Sequence, residues 1–182
     1  MKILLTAAVA AVIAAPAMAQ VPIAQMPLYY VPAIPGRIEG MMREQPRAEG
    51  PSLAYAIPLA QAAVDACAAK GGQVSVLVTD SVGTTVVFLS GDGAGERSGL
   101  ITSTKAHAVV KYRMPSDELA KRAAVDPKLK KAIQDNPNIG AVRGGAFPLM
   151  RGQQLLGALS VSGFTGEDEN CAKEAMAKVP LR

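Results

Sequence analysis

Two stretches of the chain alternate β-branched or apolar residues across a short polar break. Residues 73–90 (QVSVLVTDSVGTTVVFLS) break at Asp80-Ser81-Val82-Gly83, and residues 145–163 (GAFPLMRGQQLLGALSVSG) break at Arg151-Gly152-Gln153. Glycine in a polar turn between such runs marks a β-hairpin. Strands are expected at 74–79, 84–89, 146–150 and 154–162, with a further short one near Ala141–Val142. Between the hairpins the pattern changes to alanine, leucine, lysine and glutamate, which favour helix. One helix is expected over 97–112, stopped by Met114-Pro115, and two shorter ones over 116–124 and 126–134. In the last, Asp126-Pro127 reads as an N-cap followed by proline at the first helical position. A helix over 57–69 carries Ile57, Ala60, Val64 and Cys67 at helical spacing and ends at Gly71-Gly72. A final helix over 167–177 opens on acidic residues, as the helix dipole prefers. Hairpins flanking helices predict an α+β domain, with an antiparallel sheet of about five strands covered by helices.

The termini divide the rest. Lys2, the apolar run 3–15 and Ala17-Met18-Ala19 form a signal-peptide pattern over 1–19. That run is too short to span a bilayer, which needs about 20 apolar residues, so the expected protein is exported and not inserted in the membrane after cleavage. Residues 20–52 hold six prolines and no sustained periodicity, and read as a Pro-rich tether. The domain then occupies 53–182. Loss of Lys2 with the leader lowers the net charge from +4 to +3. Lys121-Arg122 and Lys128-Lys130-Lys131 read as the solvated faces of helices, and no nucleic-acid-binding motif is present.

GDGAG at 91–95, STKAHA at 103–108, Gly144-Gly145-Ala146-Phe147-Pro148-Leu149 and GALSVSGFTGEDENCA at 157–172 resemble the GlcG/HbpS-type family of haem-binding-like proteins. The likeness covers about 55–179. It implies a profilin-like layout, a homo-oligomer, and an exported small-ligand-binding protein whose ligand is haem or a related tetrapyrrole. It also implies that the helices bearing Cys67 and Cys171 pack on one sheet face. A Cys67–Cys171 disulfide then suits an oxidising periplasmic or secreted location, the alternative being two separate buried thiols.

His107 is the only histidine. A Ser-His-Asp hydrolase would also need a nucleophile elbow, and none is present. The ligand spacing of a zinc site and the phosphate-binding P-loop are absent too. One imidazole can, however, ligate haem iron axially. Ser103 and Lys111 lie one turn either side of His107 and Thr104 is close by; Lys105, Arg113 and Arg143 are candidate partners for propionates, and Lys111 is a further candidate cofactor-binding residue. Exported relatives often carry a histidine just after GDGAG, where this chain has Glu96 and Arg97. The axial role of His107 is therefore read from its chemistry and not inherited. The bland alternative is a half-buried histidine bonded to a backbone carbonyl or placed at a subunit contact. Tyr112 is a fallback iron ligand. Gly93 and Gly95 would present backbone N–H groups to an anion, unless the loop only joins a strand to a helix. The rival functions are a binding module for another small anionic metabolite and an accessory subunit of a periplasmic oxidoreductase system. An enzyme working through Asp80, Asp92 or Glu167 is the least favoured reading.

Overall fold

Which helix each face of the sheet receives follows from the two-residue alternation of its strands. In the computed structural model, which describes residues 48–140 and 142–181, β1 (Ser75–Thr79) and β2 (Thr85–Ser90) form the first hairpin. β3 (Ala146–Arg151) and β4 (Gln154–Ser162) form the second. β4 also pairs with β1, Val76 standing opposite Val161, so the antiparallel order is β2-β1-β4-β3. Asp80 organises the first turn, its Oδ1 accepting from the N–H groups of Val82 and Thr84 at 3.0 and 2.8 Å.

Val76, Val78, Phe147, Leu149, Leu159 and Val161 point to one face and bury against α1 (Leu53–Ala68) and α5 (Asp168–Lys178). Cys67 and Cys171 are fully buried there and joined as a disulfide, their Cα atoms 5.3 Å apart. The alternate positions Leu77, Ala146 and Ala158 meet Ala106 and Val109 of α2 (Ser98–Tyr112) on the opposite face. That second interface is built from small and hydroxylated residues, so α2 lies close to the sheet. Ser75 Oγ and Ser98 Oγ are 2.7 Å apart, and Thr102 Oγ1 donates to Ser98 O at 2.7 Å. These bonds satisfy hydroxyls that would be costly to bury unpaired.

α3 (Ser116–Val125) and α4 (Pro127–Gln134) follow α2. Asp126 caps α4 as expected, its Oδ1 accepting from Lys128 N and Leu129 N at 2.9 and 3.1 Å. Leu119, Ile133 and Ile139 form a satellite core with Ala108, and Val142 packs against it. Val142 is thereby drawn to the helices and not to the sheet. Among the described residues the sheet has four strands, not about five; Ala141 lies outside them.

α1 begins at Leu53, four residues before the expected start. Ser52 O accepts from Tyr55 N and Ala56 N at 3.0 and 2.8 Å, and Pro58 sits inside the helix. Packing begins earlier still, because Ser81 N donates to Glu49 O at 2.8 Å. The expected signal peptide over 1–19 and most of the expected 20–52 tether lie outside the described residues. No helix among the described residues is long and apolar enough to cross a membrane.

Candidate ligand-binding site

Arg97, Leu100, Ile101, Thr104 and Lys105 recur at helical spacing, and this brings them onto one stripe at the start of α2. The stripe walls a cavity of about 840 Å³. Its other walls come from Asp117 in α3, from Gly140, Arg143 and Gly144 before β3, and from residues between Ser162 and Glu169, where β4 ends and α5 begins.

Lys105 forms part of the wall although its side chain is only 1% exposed. Its Nζ donates to Gly144 O at 3.0 Å, to Val161 O and to Asp168 Oδ2 at 3.3 Å. An ammonium has three protons, and three acceptors receive them. Burial pushes the Lys105 ammonium below the ordinary lysine range; the Asp168 carboxylate pulls it back up without cancelling that effect, and Arg143 adds to the lowering. Asp168 is held in turn by Phe164, whose N–H donates to its Oδ1 at 2.9 Å.

This arrangement explains the paired glycines before β3. A Cβ on Gly145 would stand 2.7 Å from Asp168 Cβ, 2.8 Å from Val161 O and 2.9 Å from Lys105 Nζ, and its φ of +111° disfavours any side chain. A Cβ on Gly144 would stand 2.8 Å from Glu169 Oε2. Gly145 leaves room for the ammonium and its acceptors, and Gly144 for the Glu169 carboxylate.

The electrostatics of the wall are one-sided despite its mixed composition. Its three carboxylates each have an ammonium partner: Asp168 has Lys105, Asp117 has Lys121 at 3.1 Å, and Glu169 has Lys173. Burial raises the Asp117 carboxyl, but the Lys121 ammonium, the Glu118 N–H and the Lys173 charge together hold it below the usual range. Arg97 and Arg143 are exposed and form no ion pair among the described residues. The uncompensated charge facing the cavity is therefore two guanidiniums. Leu100 at 66% exposure and Ile101 at 37% supply an apolar surface beside them. Free guanidiniums beside an apolar patch in a concave hollow are the groups that would meet a small organic anion.

The residues expected to share a site are separated. Lys105, Arg143 and Gly95 line the cavity, whereas His107, Lys111 and Gly93 do not. Positions two apart on a helix do not face each other, so Lys105 and His107 point to different sides of α2. The His107 Nδ1 lies 2.8 Å from Ser103 O. Its ring rests against the first hairpin turn, a Cβ on Gly83 falling 3.3 Å from Nε2. Lys111 Nζ sits 5.5 Å from the centre of the Tyr112 ring, and Gly93 lies over the Gln73 amide. Sequence reasoning missed Arg97, Leu100 and Ile101. Their spacing from Lys105 was the signal that could have found them.

Known proteins place this architecture. A family model described as haem degrading protein HbpS-like matches residues 52–177. A double mutant of HbpS from Streptomyces reticuli is 33% identical, with a TM-score of 0.66, over 76% of this chain and 93% of that one. A second HbpS structure is 34% identical at the same TM-score, over 76% of this chain and 96% of its own. PduOC in complex with heme is 26% identical, again with a TM-score of 0.66, over 73% of this chain and 97% of that chain. No curated protein matches the chain. With the hairpins, the paired glycines and the Cys171 helix all inside the matched region, the chain belongs to the HbpS-like family.

Proposed function

We propose that the protein is an exported small-ligand-binding protein whose cavity takes an amphipathic organic anion, haem or a related tetrapyrrole first among them. The observation that carries this reading is the charge arrangement of the wall. Every carboxylate in it has an ammonium partner, while Arg97 and Arg143 stand free beside Leu100 and Ile101. Guanidiniums suit carboxylates because their planar donors can engage both oxygens. The family match and the neighbour described as a heme complex support haem as the ligand. The buried disulfide supports an oxidising compartment, in line with the leader-like residues 1–19. We further infer a homo-oligomer in solution.

The cavity fits the periphery of a tetrapyrrole better than its centre. Arg97 and Arg143 would hold the acid groups, and Leu100 and Ile101 the apolar edge. Among the described residues the wall holds no histidine, methionine, cysteine or tyrosine, the side chains that usually ligate haem iron. The iron is accordingly given no role here.

Titration of haemin into the purified protein tests the reading. A saturable shift of the Soret band and a raised melting temperature are expected, both weakened in Arg97→Ala/Arg143→Ala. Stabilisation by another organic acid and none by haemin would favour the small-metabolite alternative. Absence of both effects would overturn the proposal. The family description also names haem degradation, and decay of the bound Soret band under a reductant in air would add that activity.

A further inference from the structure

We propose that the cavity recognises the carboxylates and apolar rim of its ligand and is indifferent to a metal at the ligand's centre. The inference deepens the binding function proposed above and rests on it. It predicts that metal-free porphyrin is as good a ligand as haemin.

Four observations converge on it. Among the described residues the wall contains none of the usual iron ligands. The one amine in it, Lys105, has its three donors on Gly144 O, Val161 O and Asp168, so ligation would have to break the contacts that hold the wall together. The carboxylates are engaged by Lys105, Lys121 and Lys173. His107 faces away, with Nδ1 at Ser103 O and Nε2 beside Gly83. What remains to meet a ligand is a pair of permanently charged guanidiniums, an aliphatic surface and neutral hydroxyls such as that of Thr165. None of these distinguishes a metallated ring from an empty one, and the guanidiniums distinguish an acid from its ester.

The test is parallel titration of the full-length protein with haemin, metal-free protoporphyrin and protoporphyrin dimethyl ester, read by absorbance and porphyrin fluorescence. Haemin and the metal-free diacid are expected to bind within about threefold of each other. The ester should bind at least about tenfold more weakly, since a hydrogen bond to a charged group contributes roughly 1.5–3 kcal/mol. Arg143→Ala should weaken both acids by a similar factor, and His107→Ala should weaken neither. Haemin binding more than about tenfold tighter than the metal-free acid, one affinity decade being about 1.4 kcal/mol, would overturn this inference and leave the binding function standing. A loss on His107→Ala confined to haemin would do the same. Equal binding of ester and acid would overturn the carboxylate half. Binding of none of the three would remove the proposed function as well.

Discussion

Lys105 Nζ stands 3.3 Å from Asp168 Oδ2 and joins α2, on one face of the sheet, to the first turn of α5, which packs on the other. The contact passes the end where β4 finishes and β3 begins, and the same ammonium holds the backbone of both flanking segments through Gly144 O and Val161 O. Breaking a buried charge pair from one side leaves the other charge uncompensated. Lys105→Met is therefore expected to lower stability by about 3–5 kcal/mol. Pairing it with Asp168→Asn should cost less than the sum of the single changes, with a coupling of about 0.5–3 kcal/mol. Urea unfolding of the four proteins measures both quantities.

The same lysine should titrate apart from its surface counterparts. Burial lowers Lys105, whereas the hydrogen bond to Glu174 raises Lys70 and the hydrogen bond to Glu169 raises Lys173. The 13Cε resonance of Lys105 is expected to shift at a pH below the ordinary lysine value of 10.5, and those of Lys70 and Lys173 above it. In the window between the folded and unfolded values of Lys105, the unfolded chain binds more protons. The Lys105 contribution to stability therefore rises with pH across that window and is constant below it. A Lys105 midpoint at or above that of Lys70 would contradict this.

Gly145 and Gly152 both have positive φ, of +111° and +61°, yet they should respond differently to alanine. A Cβ at Gly152 meets nothing within 4 Å, so Gly152→Ala pays only for left-handed backbone, about 1–2 kcal/mol. Gly145→Ala adds close approaches to Asp168 Cβ, Val161 O and Lys105 Nζ, and overpacking of this kind costs a further ~1–3 kcal/mol. Thermal melts of the two variants give the comparison, and equal losses would show that Gly145 is not there for the ammonium.

The Cys67–Cys171 bridge closes a sequence separation of 104 residues between α1 and α5. A loop of that size corresponds to about 4.7 kcal/mol of chain entropy removed from the unfolded state. Cys67→Ser/Cys171→Ser should lower the free energy of unfolding by an amount approaching this, measured beside the oxidised parent. A parent that melts identically with and without reductant would argue against the bridge.

The hairpins were legible because each couples alternating strands to a glycine that its turn requires, and both features are local. The bridge was foreseen only through the family resemblance, since nothing near Cys67 in sequence points to Cys171. The site was half legible. Lys105 and Arg143 were identified as cations near a ligand, but the grouping of Lys105 with His107 followed sequence proximity, and helical rotation separates them. The burial of Lys105 was invisible for a different reason: its acceptors Gly144, Val161 and Asp168 lie 39, 56 and 63 residues away. Val142 shows the same limit, its β-branched character suiting a strand while the satellite core of α3 and α4 takes it.

Two of the lysines that quiet the acids around the hollow never enter it. Lys121 and Lys173 reach Asp117 and Glu169 from outward helical surfaces, their side chains 79% and 57% exposed. The sign of the interior field is thus governed from outside. Acetylation or replacement of either residue would restore a negative charge to the wall and weaken the proposed preference for anions, without altering any group a guest would touch.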